Sequence, residues 1–194
     1  MVQRITLFLI TLLIMTATVS AATWKADVAH SSVNFAVKHL VISTINGKFD
    51  KFESTLDWDG QDLTTGKVDF TIQMNSVDTD NSNRDEHLIS PDFFNADKYP
   101  TMSFKSSKVI VLDSKSFKLE GELTILGVTK TVIFDCEYHG TANFMKTTKS
   151  GFSARAEINR QYFGITWSKA LDGGGLVVSD KVKISLELEY NKSE

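Results

Sequence analysis

Apolar and polar residues alternate one by one along many stretches of this chain, and this pattern constrains the fold more than any other feature. The clearest examples are residues 67–74 and 117–125, where nearly every second residue is apolar. Similar alternation recurs at 33–37, 152–158 and 182–190. A period of two places successive side chains on opposite faces of a β-strand. The chain is therefore predicted to be all-β and antiparallel, with one apolar face on each strand.

About eight to ten such strands cannot leave their apolar faces in water, so the pattern predicts either a sandwich or a closed barrel. Between Ile45 and Trp58 the apolar positions change parity, which predicts a bulge or bend near Asp50 and Lys51. An eight-stranded barrel either fills its interior with its own side chains or holds one apolar ligand. Periodicity does not distinguish these two interiors.

One long segment, from Asp78 to Pro100, breaks the alternation. Asn83 and Glu86 have the spacing of a capping box with Asn in the capping position, and the residues between them lack β-branched side chains. These features predict a short helical insertion around residues 82–97. Long insertions between strands are usually functional or cap the structure.

The amino-terminal residues have the pattern of a secretory signal. Arg4 supplies a positive charge, residues 5–15 are apolar apart from two threonines, and a small-x-small pattern ends at Ala21. The apolar run is shorter than the roughly 20 residues that span a membrane. We therefore expect a signal peptide over residues 1–21, and one exported domain over 22–194.

Composition and spacing argue against several kinds of site. With 24 acidic and 21 basic residues, the net charge is −3 and there is no basic stripe, so we expect no nucleic-acid partner. The four histidines are dispersed, and residues 78–82 lack the glycine and glutamate that must follow in a calcium loop. No metal site and no cofactor are predicted. Cys136 alternates with apolar neighbours, which predicts a small packed hydrophobe.

Four motifs occur in a recognisable order. They are HSSVNFAVKH (30–39), RDEHLISPDFF (84–94) with KYP (98–100), GELTILGVTK (121–130), and INR (158–160) with FG (163–164). Together they resemble the YceI-like family of polyisoprenoid-binding proteins, and the resemblance spans nearly the whole mature chain. The chain departs from the family at Leu40-Val41-Ile42, where a methionine and a glycine commonly follow the lysine-histidine pair. We expect this to alter the loop after the second strand.

The resemblance implies a lipocalin-like antiparallel β-barrel of about eight strands whose apolar interior takes a long-chain isoprenoid lipid, such as a polyprenyl diphosphate or a quinone tail. It also implies an exported, commonly periplasmic protein that carries, stores or sequesters this lipid and touches a membrane transiently to exchange it. No catalytic residues are implied. A homodimer is compatible with this interpretation.

Candidate ligand contacts follow from the predicted strand faces and the insertion. The inward-facing residues predicted to contact the tail are Phe35, Phe70, Ile72, Phe104, Phe134, Phe152 and Leu186. A diphosphate needs cations, because a buried multivalent anion without partners is very costly. The candidates are Arg84, His87 and Arg160, whose alternative role is to form salt bridges that pin the insertion to the barrel. Phe93 and Phe94 are candidate lid residues.

Two other functions stay open at this point. His87 lies beside Asp85 and Glu86, and an imidazole near carboxylates is suited to acid-base chemistry on a lipid or quinone. The same run is also typical of a solvated helix. The remaining alternative is a solid barrel that serves as a stress-response or interaction module.

Overall fold

The computed structural model describes residues 21–170 and 176–193, so residues 1–20 of the predicted signal peptide lie outside the described residues. Within these ranges it contains eleven strands and one α-helix. The strands are β1 (Ala22–Ala26), β2 (Ser32–His39), β3 (Ser43–Phe49), β4 (Phe52–Trp58), β5 (Lys67–Gln73), β6 (Val77–Asp78), β7 (Thr101–Val111), β8 (Ser116–Ile125), β9 (Val128–Phe144), β10 (Thr147–Asn159) and β11 (Val178–Lys192). The helix, α1 (Ser82–Ile89), lies between β6 and β7.

Eight of the strands close into an antiparallel barrel, which confirms the predicted fold. Their order is β1-β4-β5-β7-β8-β9-β10-β11, and β1 closes the ring by pairing with both β4 and β11. β2 continues along β11 beyond the end of β1, and β3 and β6 extend the sheet from β2. The sandwich alternative is therefore wrong.

The predicted bend near Asp50 and Lys51 is confirmed. β3 ends at Phe49 and β4 begins at Phe52, so these two residues separate the strands where the apolar positions change parity. The Asp50 N–H donates to the carbonyl of Ser76 at 3.0 Å instead of to a neighbouring strand. This break lets the apolar side chains of both strands point into the barrel.

The helical insertion is also present, but its cap differs from the prediction. Asn81 precedes α1, and its side-chain oxygen accepts a hydrogen bond from the Arg84 N–H at 3.0 Å. Asn83 lies inside the first turn, so the predicted capping box is wrong. Asn81 is followed three residues later by Arg84, which is not the Glu or Gln of a capping box, so the capping-box pattern pointed to the wrong asparagine. Among the described residues, no helix is long and apolar enough to cross a membrane.

Because the strands are antiparallel, the connections gather at two ends of the barrel. One end, which we call the lid end because it carries the predicted lid residues, holds α1, the turns at residues 40–42 and 126–127, and residues 160–170. We call the opposite end the far end. The far end carries the connections at 59–66, 112–115 and 145–146.

Candidate functional site

The barrel encloses a cavity of about 200 Å³. Its wall is formed almost entirely by apolar side chains from the inner faces of the strands. All seven predicted tail contacts lie on this wall: Phe35, Phe70, Ile72, Phe104, Phe134, Phe152 and Leu186. Their contact with a ligand stays a prediction.

The volume sets a limit on what fits without rearrangement. A cavity of roughly 150 Å³ lined by Leu, Ile and Phe stays dry and holds one benzene molecule. The present cavity is somewhat larger, so it accepts part of an apolar chain as it stands. A chain of about 20 carbons requires wall side chains to move.

Two glycines leave room for phenylalanine rings of neighbouring strands. A Cβ on Gly121 would lie 2.4 Å from Cζ of Phe104, and a Cβ on Gly47 would lie 2.3 Å from Cζ of Phe35. A glycine inside an alternating strand indicates such close approach. The sequence carries this signal, but the alternation of strand faces does not reveal it. The two glycines therefore hold space open inside the barrel.

Most of the half-buried wall residues lie towards the lid end, on β2, β10 and β11 and in the insertion. We call five of them the mouth: Phe35, Val37, Phe94, Val182 and Ile184. By contrast, Phe70, Ile72, Phe104 and Phe134 are at most 8% exposed. A second, smaller set of half-buried wall residues, Leu63, Val68 and Val109, lies near the far end. The lid end therefore carries more of the half-buried wall than the far end does.

The far end is sealed by aromatic residues whose polar atoms have partners. Trp24 and Trp58 are each 1% exposed and their rings lie 5.5 Å apart. The indole N–H of Trp24 donates to the Trp58 carbonyl, and that of Trp58 donates to the Asp62 carbonyl at 2.9 Å. Tyr190 hydrogen-bonds to Ser54 at 2.7 Å, and burial raises the pKa of Tyr190 to about 12.

Cys136 also lies on the cavity wall, as the predicted packing residue. Burial raises the pKa of its thiol to about 12, and the neighbouring Asp135 charge acts in the same direction. Nucleophilic cysteines need the thiolate, so this thiol is suited to packing.

Both predicted lid residues lie against the cavity. Phe94 contacts Phe49 with ring centroids 5.8 Å apart, and Phe93 packs on Trp167 at 5.2 Å. The hydrogen bonds of segment 81–99 run within the segment or to Thr79, so far as the described residues show. The segment is held to the barrel mainly by apolar and aromatic packing.

The contacts of Arg160 fit a structural role better than the binding of a lipid head group. Its side chain is 4% exposed, and burial lowers the pKa of the guanidinium. All five N–H groups have protein acceptors. These are the backbone oxygens of Ile165, Trp167, Val178 and Ser179, and Oδ1 of Asp180, at 2.7–3.3 Å. No N–H of Arg160 is left for a diphosphate in this conformation.

Arg84 and His87 lie on α1 but contact different groups. Arg84 donates to the side chain and the carbonyl of Thr79 at 2.7 and 2.6 Å, which leaves its Nη1 without a partner among the described residues. Nε2 of His87 lies 3.0 Å from Asp92, and its ring packs against Phe93 and Trp167. Neither residue lines the cavity, and their binding of a head group stays a prediction.

One cluster was not visible in the sequence, because its members are far apart along the chain. Ligand-type atoms of Asp27, His30 and Glu189 lie within 4.8 Å of one another. The Lys149 ammonium contacts the Asp27 and Glu189 carboxylates at 3.0 and 2.6 Å. The hydrogen bond from Lys149 holds the pKa of Asp27 well below its usual range. The cluster is therefore an ion-pair network that ties the β1–β2 junction to β10 and β11.

Known proteins share this fold and, in part, this sequence. A UPF0312 protein of Staphylococcus aureus strain USA300 is 38% identical over 170 residues, which are 87% of this chain and 96% of the relative. The crystal structure of a Campylobacter jejuni YceI protein is similar with a TM-score of 0.69 and 36% identity, covering 81% of this chain and 90% of that one.

A more distant structure shows the fold alone. It is described as a polyisoprenoid binding domain from Saccharophagus degradans, with a TM-score of 0.69 and 14% identity over 89% of this chain and 99% of that one. Residues 24–190 match the YceI-like domain, which is almost the whole barrel. The chain belongs to the YceI-like family.

Proposed function

We propose that this protein binds a long-chain isoprenoid lipid, such as a polyprenyl diphosphate or a quinone with an isoprenoid tail, inside its barrel. The protein is exported to the periplasm, where it carries, stores or sequesters the lipid and exchanges it during transient contact with a membrane. It acts without catalysis and needs no cofactor. A homodimer stays compatible with this role.

The observation that carries the proposal is a cavity with an almost wholly apolar wall inside a closed barrel. An apolar chain gains roughly 0.8 kcal/mol for each carbon that leaves water. The description of the Saccharophagus degradans domain as polyisoprenoid binding supports the same ligand class through its fold. Half-buried residues at the mouth, including Phe35 and Phe94, are the side chains best placed to move when a long chain enters.

Carriage is favoured over permanent storage by the energetics of the donor. A bilayer offers an isoprenoid chain nearly the same gain as the cavity, since both remove the chain from water. The net free energy of transfer is therefore small, and exchange with a membrane is reversible. Because the wall offers almost no polar partner, a charged head group has to stay outside the cavity, near the mouth.

A catalytic role for His87 is the second candidate. The favouring observation is its 3.0 Å contact with Asp92, a geometry that orients an imidazole. Against it, the His87 side chain is 43% exposed and does not line the cavity. His87→Gln keeps hydrogen-bonding capacity but removes the titratable group. Unchanged binding with lost turnover of a bound lipid would establish this second function.

Native mass spectrometry of the protein mixed with geranylgeraniol or geranylgeranyl diphosphate tests the proposal. Phe134 and Ile133 are neighbours on β9, but Phe134 faces the cavity while Ile133 is 47% exposed on the outside. Phe134→Trp should lower the bound fraction of both lipids, because the larger ring fills the cavity. Ile133→Trp is the matched control and should bind like the wild type.

The result that contradicts the proposal is equal binding by both variants, or no binding by the wild type. A loss of roughly 1–3 kcal/mol in the stability of Phe134→Trp, with no change in bound lipid, would indicate an overpacked solid core. Measuring the free energy of unfolding in urea beside the mass spectra separates these results.

A further inference from the structure

The turn between β2 and β3 exposes two large aliphatic side chains. Val41 is 66% exposed and Ile42 is 83% exposed. Leu40 and Val41 have φ values of 51° and 65°, so two consecutive residues other than glycine adopt the left-handed conformation. For a β-branched residue such as Val41 this conformation is a clear outlier. Neither solvent exposure nor backbone geometry accounts for valine and isoleucine here.

The turn stands directly beside the mouth. Phe35 and Val37 are mouth residues on β2, and the same strand runs into the turn at His39. The Leu40 N–H donates to the Val177 carbonyl at 2.9 Å, which fastens the turn to the segment that precedes β11. Tyr162, 69% exposed, lies on the connection after β10 at the same end of the barrel. An exposed tyrosine is suited to the interface between lipid and water.

The charges around these residues favour a lipid surface. Residues 38–46 and 161–170 contain no carboxylate, and each segment presents one exposed lysine, Lys38 and Lys169. Neither lysine has an ion-pair partner among the described residues. The carboxylates of the lid end include Asp180, which accepts hydrogen bonds from Arg160 and Gln161, and those of the insertion, where Glu86 is exposed and Asp92 contacts His87.

The far end has an exposed apolar turn as well, and its Met145 and Lys146 also have positive φ values. Phe144 and Met145 are 58% and 82% exposed at the tip of the β9–β10 hairpin. The other far-end connections carry the carboxylates Asp59, Asp62 and Asp113. The two tips thus offer similar apolar area, while only the lid-end tip adjoins the mouth.

We propose that Val41 and Ile42 insert into the surface of a phospholipid bilayer, with Tyr162 at the interface and Lys38 and Lys169 facing lipid phosphates. Docking through these residues orients the protein with its mouth towards the membrane. The purpose of the contact, lipid exchange, rests on the proposed function, but the contact itself does not require a bound isoprenoid.

Sedimentation with vesicles tests the surface, using phosphatidylcholine alone or mixed in equal parts with phosphatidylglycerol. The double variant Val41→Ser/Ile42→Ser should lower the partition coefficient on both vesicles about tenfold or more. The matched control Phe144→Ser/Met145→Ser removes similar apolar area at the far end and should bind like the wild type. Lys38→Gln/Lys169→Gln should weaken binding severalfold on the anionic vesicles only.

Val41→Gly separates docking from folding. Glycine adopts φ near 65° without strain, so this variant should be at least as stable to heat as the wild type while binding vesicles more weakly. Equal binding by Val41→Ser/Ile42→Ser and Phe144→Ser/Met145→Ser, or no binding of the wild type to either vesicle, overturns the proposal. Geranylgeraniol binding in detergent-free buffer, measured on the same variants, should stay unchanged. Failure of the wild type to bind geranylgeraniol would instead contradict the proposed function.

Discussion

The two ends of the barrel are closed in different ways. At the far end, Trp24 and Trp58 are buried and donate hydrogen bonds to strand and loop carbonyls. At the lid end, Phe93 and Phe94 cover the cavity, but the segment that carries them forms most of its hydrogen bonds within itself. Opening the far end breaks packing and hydrogen bonds together, whereas opening the lid end separates mainly apolar contacts.

This difference indicates where the molecule opens at lowest cost. Local opening requires the least free energy where few buried contacts and few hydrogen bonds to the rest of the protein are lost. Thr79 forms hydrogen bonds with Arg84 and Asp85 at the start of segment 81–99. These bonds fix one side of the segment. We therefore expect a lipid chain to pass through the mouth, and the far end to stay closed.

The largest expected effect is at the far end. Trp58→Ala removes a buried ring that contacts Trp24, Tyr138 and Phe152, and should lower the free energy of unfolding by about 3–5 kcal/mol. Phe94→Ala at the half-buried lid should cost roughly 1–2 kcal/mol. Urea unfolding followed by circular dichroism measures both. Equal losses would mean that the lid is as firmly built as the far end.

Arg160 gives the next largest effect. Arg160→Lys keeps the charge but loses the planar fork that binds four backbone oxygens and Asp180, so stability should fall by about 3 kcal/mol. Arg84→Ala, with two hydrogen bonds to Thr79, should lose about 1 kcal/mol. If Arg160→Lys stays fully stable and loses affinity only for geranylgeranyl diphosphate, Arg160 binds the head group instead.

The glycines beneath the phenylalanine rings give a smaller effect. A Cβ at Gly121 would meet the Lys105 carbonyl oxygen at 2.4 Å as well as the Phe104 ring, so backbone must shift. Gly121→Ala should cost about 1–3 kcal/mol. At Gly47 the nearest atoms belong to side chains, those of Phe35 and Thr79, so Gly47→Ala should cost less.

Lipid binding gives a second test of the glycine at position 47. Gly47→Ala should push Phe35 into the mouth and reduce geranylgeraniol uptake more than it reduces stability. Titration calorimetry beside thermal unfolding measures the two effects. Unchanged uptake would show that the Phe35 ring does not limit access.

The smallest effect concerns pH and the network around Asp27. The folded pKa of Asp27 lies below its unfolded value of about 3.9. At pH values above the unfolded pKa, the lowered pKa of Asp27 stabilises the fold. This contribution is lost as the pH falls through the folded pKa. Asp27→Asn should therefore lose less stability than the wild type between neutral and strongly acid pH. Parallel losses in the two proteins, measured by thermal unfolding across pH, would contradict the assigned role of Lys149.

The strand pattern was sufficient to predict an antiparallel β-protein, the bend at Asp50 and Lys51, and the side chains that face inward, while the choice of a barrel over a sandwich came from the family resemblance. Alternation reports the face of a strand, but the space left between opposite walls depends on how rings such as Phe35 pack across strands. Alternation alone therefore left a cavity and a solid core open, and only the family resemblance favoured the cavity.

The polar contacts were harder to predict for a related reason. The partners of Arg160 are mostly backbone oxygens of residues 165–167 and 178–179, and residue types carry no information about them. Asp27 and Glu189 meet only because β1 and β11 close the barrel. Asn81 and Asn83 show the local limit, since both have the residue type of a helix cap and the cap is the one without the capping-box glutamate.

The most direct test of the central claim is an isotope-filtered nuclear Overhauser experiment on methyl-labelled protein with unlabelled geranylgeraniol. We predict contacts between the lipid chain and the methyl groups of Ile72 and Leu186 on the cavity wall, with none to Ile133 on the outside of β9. Contacts confined to exposed methyl groups such as those of Ile133 and Ile42 would show that the chain binds on the surface and that the barrel interior does not receive it.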